Sequence, residues 1–367
     1  MQMKKIRKQI IGDINNTNAI IINGDVSIDQ QIFDNIQNLL IEILRKDFER
    51  FSADAINIAK GELNKLITSI FERLVKDQQE KLIEKFNNPS IQVFLHDTLI
   101  GYISNEDEIM KEFIIDILID RLKIDNNSTE KAILNEAIKL IPNLNMSTSS
   151  LIALMNLRHY VVSTNHSFML ESFFRQLSPI INISCNINKI DIEYIIENKC
   201  TKTISGIFPI DTYENHLLKQ YDLYFRQIGT REELEKFSEI HPGIMHRVNN
   251  DGTSMFYYID SEMNYWKFSD ANCKLFYKRL RDRQQEYLIP LVEELKKTKP
   301  LFTEKQVRKY LCNINQNWEC ACKLLNCLEL KTLDLSILGS YIGSKIINKF
   351  TNTPSLSISS LSNPIAL

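Results

Sequence analysis

The chain has 367 residues, of which 44% are hydrophobic and 25% charged, and its formal net charge is −2. This composition excludes a largely disordered chain, and the near-zero charge gives no overall field that would attract nucleic acid or an anionic membrane. Glycine (10 residues) and proline (9 residues) are sparse. The sequence therefore predicts a mainly α fold of two or three domains, because a sandwich or barrel needs many tight turns.

Two features of the sequence bear on the compartment. No run of about 18 apolar residues could span a membrane, and the N-terminus lacks the apolar stretch of a signal peptide. The seven cysteines are odd in number and lie in a large chain, which is typical of reduced thiols. We therefore expect a cytoplasmic protein with reduced cysteines and no membrane partner.

Residues 1–28 differ from the rest of the chain. Gly-Asp occurs twice, twelve residues apart, and the second copy follows a run of isoleucines, which predicts short strands joined by tight turns. So small a β segment is marginal alone, and the simplest partner is the same segment of another subunit. We predict an oligomerisation tail; the alternative is a flexible tail or one hairpin on the body. The residues predicted to make the contact are Gly12, Asp13, Ile20, Ile22, Gly24, Asp25 and Val26.

A helical body is expected over residues 29–300. Apolar residues spaced i, i+3, i+4 and i+7 predict a long helical hairpin over 29–87, and further helices follow over 88–243. A β-hairpin is predicted over 244–259, around an Asn-Asn-Asp-Gly turn. Helices over 270–300 complete the body.

Capping residues fix several of these helices. Ser104 is predicted to cap one helix, and Ser147 or Thr148 a later one. Thr230 and Glu233 have the spacing of a capping box.

Three further boundaries are predicted within the body. The helix before Thr230 is expected to run over 211–227 and to be closed by Gly229. The helix that starts at residue 270 should break or kink at Pro290.

Residues 301–350 are predicted to form a winged-helix-like unit. Thr303 and Gln306 form a capping box for its first helix, a strand is expected over 328–335, and Ser336 caps a last helix. Residues 351–367 are rich in Ser, Pro and Asn and are predicted to be disordered.

Four stretches carry a resemblance to known proteins. They are Gly12-Asp13 with Gly24-Asp25, residues 86–92, residues 135–142, and residues 335–339 with Ile342-Gly343. Through them the chain resembles an uncharacterised family of bacterial proteins that pair a Gly-Asp-rich tail with a long helical body. The tail also resembles those fused to many bacterial anti-phage proteins, and this implies subunit assembly in defence.

Searches for catalytic and metal-binding spacings are negative. The chain has no G-x-x-x-x-G-K-[ST], G-x-S-x-G or H-E-x-x-H. Cys320 and Cys322 are one residue apart on a predicted helix, whereas zinc sites favour C-x₂₋₄-C. We therefore predict no catalytic residue, no metal site and no cofactor.

One basic patch is compatible with phosphate binding. It consists of Lys278, Arg279 and Arg283, to which the winged-helix-like unit adds Lys323. Nearby acidic residues dilute the patch, and the candidate recognition helix carries only that one base, so it resembles a packing helix.

The leading hypothesis is a non-enzymatic, self-assembling protein of anti-phage defence. Its expected partners are itself, through the N-terminal segment, and a phage component or a companion defence protein. The first alternative is a nucleic-acid-binding regulator that acts through the winged-helix-like unit. The second is an enzyme whose site is assembled from distant residues.

Overall fold

The computed structural model describes residues 19–22, 26–29, 37–38, 41–42, 53–76, 80–105, 107–124, 128–158, 167–204, 211–241, 256–259, 262 and 264–351. The α-helices in these residues are α1 (Ala53–Lys76), α2 (Pro89–Ser104), α3 (Glu108–Lys123), α4 (Thr129–Leu140), α5 (Met146–Asn156), α6 (Ser167–Gln176), α7 (Ser178–Ile183), α8 (Lys189–Glu197), α9 (Tyr213–Gln220), α10 (Arg231–Ile240), α11 (Cys273–Asp282), α12 (Ile289–Thr298), α13 (Glu304–Ile314), α14 (Trp318–Leu325), α15 (Leu328–Lys331) and α16 (Ile337–Thr351).

The strands of the described residues are short. They are β1 (Ala19–Ile22), β2 (Val26–Asp29), β3 (Thr201–Thr203), β4 (Gly229–Thr230), β5 (Phe256–Tyr258), β6 (Tyr265–Phe268) and β7 (Leu333–Leu335). Turns of 3-10 helix cover Glu80–Asn87, Ile141–Asn143, Ser184–Asn186 and Glu286–Leu288. The prediction of a mainly α fold is confirmed.

Contacts divide the chain into two compact units, residues 1–144 and 145–367. The domain boundaries predicted from the sequence, at residues 28, 300 and 350, stay predictions. None of the described helices is long and apolar enough to cross a membrane.

The N-terminal segment contains one antiparallel pair of strands. β1 pairs with β2, with Ile20 opposite Ile28 and Ile22 opposite Val26. No third strand joins this sheet within the described residues. The tail therefore contains strands, as the sequence predicts.

The first unit is built around α2 and α3, which pack on each other, on α1 and on α4. Its core comes from their apolar faces, and includes Leu66, Ile67, Leu95, Leu99, Ile114, Leu118, Leu134 and Ile138. Residues 37–38 and 41–42 are helical; the rest of the first helix predicted for the 29–87 hairpin lies outside the described residues. Asp107 rather than Ser104 caps α3, because its carboxylate accepts hydrogen bonds from the amides of Ile109 and Met110.

The second unit is centred on α5, which is buried over nearly its whole length. α16 packs along it at close range, since a Cβ at Gly343 would lie 2.8 Å from Cβ of Asn156. The Asn156 side-chain amide also donates to Ser344, at 3.0 Å. Asn145 caps α5 in a capping box with Thr148, so the prediction of Ser147 or Thr148 at the N-cap is wrong.

The predicted helix over residues 211–227 is shorter in the structure. α9 ends at Gln220, whose carbonyl accepts from the Asn272 side chain. Residues 223–225, which follow, bond to other parts of the chain, for example through the Phe302 amide, which donates to the Phe225 carbonyl. Gly229 does not close a helix; it lies in β4, where a Cβ would overlap the Trp266 indole.

A three-stranded sheet covers the apolar core of this region, in the order β4-β6-β5. Trp266 and Phe268 of β6 are buried with α10, α11 and α12. β5 matches the end of the predicted hairpin over 244–259, and residues 244–255 lie outside the described part. The partner of β5 is β6, which the sequence analysis did not predict.

The helices over 270–300 break earlier than predicted. Gln284 has a φ of 57°, and the Gln285 amide donates to the Leu280 carbonyl, which ends α11 with a left-handed residue. Pro290 lies in the first turn of α12, a position that tolerates proline. The predicted capping boxes at Thr230 and Thr303 are both present.

The predicted winged-helix-like segment contains α13 to α16. The strand expected over 328–335 is only β7, since residues 328–331 form α15. β7 pairs with β3, and α16 packs on α5. Ser336 caps α16, as predicted, by accepting from the Gly339 amide at 3.0 Å.

The structure contains one disulfide bond among the described residues, between Cys185 and Cys320. The bond joins the 3-10 turn after α7 to α14. The prediction of reduced thiols is therefore wrong for this pair, because the sequence does not show that two residues 135 positions apart meet. The free cysteines are Cys200, Cys273, Cys312, Cys322 and Cys327.

Candidate functional site

The residues predicted to form the oligomer contact lie partly within the described chain. Ile20, Ile22 and Val26 lie on β1 and β2, in the two directly opposed pairs given above. Gly12, Asp13, Gly24 and Asp25 lie outside the described residues. The contact itself stays a prediction.

The predicted basic patch is not one surface of free cations. Arg279 donates to buried Asp270 and, at 3.0 Å, to Ser269. Its guanidinium carbon lies 5.1 Å from the centre of the Phe276 ring. An arginine engaged in this way has few donors left for phosphate, so Arg279 does not serve the predicted patch as a phosphate ligand.

The other three basic residues of that prediction are exposed. Lys278 and Arg283 lie on and just after α11, and Lys323 lies on α14, where it forms an ion pair with Glu319 at 3.2 Å. The apolar face of α14 is buried through Trp318 and other residues, in agreement with the predicted packing role.

A different cluster is the best candidate for chemistry. Lys267 lies on β6 between Trp266 and Phe268, and alternation along the strand turns it away from their apolar core. Its side chain is nonetheless buried, with 9% of the residue exposed.

Two tyrosines enclose the amine. Nζ of Lys267 lies 4.2 Å from the ring centre of Tyr224 and 5.4 Å from that of Tyr310. The rings meet edge to face, and their hydroxyls are hydrogen-bonded to each other. Phe225 packs against both rings, with centroids 5.0 Å and 5.9 Å away. The ammonium is therefore held by aromatic faces, a favourable arrangement for a cation.

A charged pair on α6 forms the outer side of the cluster. Glu171 accepts a hydrogen bond from Arg175 one turn later, at 2.7 Å, and both side chains are partly exposed. Glu171 also contacts the Tyr310 hydroxyl. The cluster thus runs from a solvent-exposed carboxylate through two phenols to a buried amine. We call Lys267, Tyr224, Tyr310, Glu171 and Arg175 the lysine cluster.

Other buried lysines of the chain have a different environment. Lys111 pairs with Glu62 at 2.6 Å and with Glu108 at 2.9 Å, and Lys299 pairs with Glu233. Within the described residues, Lys267 has no hydrogen bond or ion pair of this kind; its contacts are the two rings and the more distant charge of Glu171.

The titration of these groups follows from their surroundings. Burial lowers the pKa of Lys267 to about 8, and the charge of Glu171 only partly opposes this. Burial, and to a lesser extent Glu171, raise the pKa of Tyr310 to about 12. By contrast, the two carboxylates beside Lys111 outweigh the effect of burial and raise its pKa.

Replacing Lys267 with Met is expected to stabilise the second unit at pH 7, by about 1–3 kcal/mol. Lowering the lysine pKa from 10.5 to about 8 on folding destabilises the folded state by about 3 kcal/mol at a pH where Lys267 is protonated in both the folded and the unfolded chain. The Met variant removes this cost, but it also loses the contact of the ammonium with the two rings, which offsets part of the stabilisation. The folded state binds fewer protons between pH 8 and 10.5, so the stability of the native chain rises with pH over this interval. The advantage of the variant should shrink over the same interval.

Urea unfolding followed by tryptophan fluorescence measures this, since Trp266 and Trp318 are both buried in the second unit. Lys299→Met is the matched control, and it should destabilise because Glu233 loses its partner. A Lys267→Met variant less stable than the native chain at pH 7 would contradict the prediction.

Sequence reasoning missed the lysine cluster. Its members lie between residues 171 and 310 and come from α6, the turn after α9, β6 and α13. The only local indication is the order Tyr-Trp-Lys-Phe at residues 265–268, where a lysine is surrounded by aromatic residues on a short strand. That pattern also fits an exposed lysine on an edge strand.

Comparison with known proteins gives a family without an assigned activity. No curated protein and no solved structure matches the chain. The model of an uncharacterised protein family matches residues 32–360, which leaves out β1 and β2. Because the match covers most of the sequence, the chain belongs to this uncharacterised family.

Proposed function

We propose that this protein is a non-enzymatic, self-assembling protein of bacterial anti-phage defence. Its subunits associate through the N-terminal strands, and the helical units recognise a phage component or a companion defence protein. The β1–β2 pair is the observation that supports the proposal most directly.

The argument for assembly starts from the size of the sheet. Each strand has four residues, and a two-stranded sheet of this size is marginally stable in water. Both outer edges of such a pair carry backbone groups that can add further strands. A second copy of the same segment offers strands of the same length and composition.

The composition of the strands supports the same conclusion. Ile20 is opposite Ile28 and Ile22 is opposite Val26, so β-branched residues form both of these cross-strand pairs. Such residues favour sheets and pack well across strands. An association that extends the ladder would bury this apolar segment.

The argument for defence is the resemblance of the Gly-Asp tail to the tails of anti-phage proteins. The family match begins at residue 32, after the tail. This agrees with a chain in which the tail is a separate segment joined to the body. In this proposal the tail supplies assembly and the body supplies recognition.

A phage plaque assay tests the proposal with two variants of the full chain. Ile20→Lys with Ile22→Lys places two like charges two residues apart on β1, each opposite an apolar residue of β2. The matched control is Ile58→Lys with Val93→Lys. Both residues lie on helices, where they are 68% and 69% exposed.

The native chain and the control should reduce plaque formation by at least one phage of a panel, about tenfold or more, and the β1 variant should not. Equal protection by the β1 variant would contradict the role of the strands. Absence of protection by the native chain, folded and abundant in the cells, would contradict the defence role.

A further inference from the structure

We infer that Lys267 is a carbonyl-reactive amine, which condenses with a small aldehyde at Nζ to form an imine, with the Tyr310 hydroxyl as the neighbouring proton donor. The inference does not depend on the proposed function. It rests on the burial and the contacts of the lysine cluster.

The first step of the argument is the missing acceptor. A buried ammonium is normally hydrogen-bonded to a carboxylate or carbonyl, as Lys111 and Lys299 show in this chain. The donors of Lys267 have no such acceptor within the described residues. A cation–π contact with two rings stabilises the charged form less than an ion pair does, so Lys267 loses its proton more readily than an ion-paired lysine.

The second step is the state of that amine at neutral pH. With a pKa of about 8, about a tenth of the Lys267 side chains are neutral at pH 7. An exposed lysine with the usual pKa of about 10.4 is neutral in only about one molecule in several thousand. Nucleophilic lysines in proteins are activated in the same way, by desolvation in an apolar pocket.

The third step is proton transfer. The nitrogen lone pair attacks the carbonyl carbon, and the carbonyl oxygen takes a proton from the Tyr310 hydroxyl. Nitrogen then loses two protons: one returns to the Tyr310 phenolate, and the other joins the carbinolamine hydroxyl, which leaves as water while the carbon–nitrogen double bond forms. The overall change is amine plus aldehyde to imine plus water, so no oxidant or reductant is consumed.

Residues of the cluster are placed for these transfers. The hydroxyls of Tyr310 and Tyr224 are hydrogen-bonded to each other, and the two rings that carry them both contact the amine. Glu171, which is partly exposed, contacts Tyr310, and so links the phenols to solvent. Because Lys267 itself is 9% exposed, the site favours a small carbonyl compound over a bulky one.

Limited labelling of the native full-length chain tests the inference. Glycolaldehyde forms the imine at pH 7, and cyanoborohydride reduces it to a stable hydroxyethyl amine. Peptide mass spectrometry then measures the rate of labelling at each lysine. Exposed Lys278 and buried, ion-paired Lys299 are internal references. We expect Lys267 to be labelled about tenfold faster than either, with a rate that levels off above about pH 8.

Two variants separate reactivity from mere structure. Lys267→Arg keeps the cation between the rings and should lose the fast adduct. Tyr310→Phe keeps the ring and removes the donor, so labelling of Lys267 should slow about tenfold while tryptophan fluorescence is unchanged. Labelling of Lys278 ahead of Lys267 in the native chain would overturn the inference whatever the variants do.

Discussion

Replacing Arg308 with Met is expected to lower the free energy of unfolding of the second unit by about 3–5 kcal/mol. Arg308 on α13 donates from Nε to Oε1 of Glu214 at 2.6 Å, and Glu214 on α9 is fully buried. Asn326 donates to the other carboxylate oxygen at 2.7 Å. Without the guanidinium, the carboxylate stays buried with no cationic partner among the described residues, which is the costly way to break a buried ion pair.

Two further variants make this prediction specific. Replacing Glu214 and Arg308 together with Met should recover most of the loss, because no buried charge is then left alone. Lys219→Met removes the partner of exposed Asp211 and should cost less than about 1 kcal/mol. Urea unfolding followed by tryptophan fluorescence measures all three, and an Arg308→Met loss no larger than that of Lys219→Met would refute the account.

The second large effect is expected for the disulfide bond. Cys185 and Cys320 are separated by 135 residues, and cross-linking so long a loop restricts the unfolded chain strongly. Reduction, or Cys320→Ser, should lower the free energy of unfolding by about 2–4 kcal/mol.

The reduced protein should remain folded, because polar contacts join the same elements. Asn315 donates to the Asn182 side chain at 2.8 Å, and Ser184 donates to the Asn317 carbonyl at 3.2 Å. Urea unfolding with and without reductant measures the effect. Reductant should shift the midpoint of the native chain and leave that of Cys320→Ser unchanged; equal shifts in both would show that the bond does not stabilise the fold.

The sequence predicted correctly those helix ends that are fixed by neighbouring residues in the chain. The capping boxes at Thr230 and Thr303 join residues three apart, and their hydrogen bonds need no tertiary partner. Some errors arose where tertiary contacts compete with helical pattern. α9 ends early because the turn after it bonds to residues 271 and 300–302. The error at Ser104 is local instead: α2 continues through Ser104, so Asp107, a residue type equally favoured at the N-cap, caps α3.

The same limit applies to the candidate site. Arg279 belongs to the basic patch that the sequence predicts, but its partner Asp270 precedes the helix, and only the fold shows that the two residues meet. The lysine cluster joins residues up to about 140 positions apart, so no local spacing reveals it. The disulfide is hidden for the same reason.

The native mass of the full chain tests the central claim, that the N-terminal strands assemble subunits. Light scattering after size-exclusion chromatography should give a multiple of 42.8 kDa for the native chain and for Ile58→Lys with Val93→Lys. It should give 42.8 kDa for Ile20→Lys with Ile22→Lys. A native chain of one subunit mass, or a β1 variant that keeps the native mass, would contradict the claim.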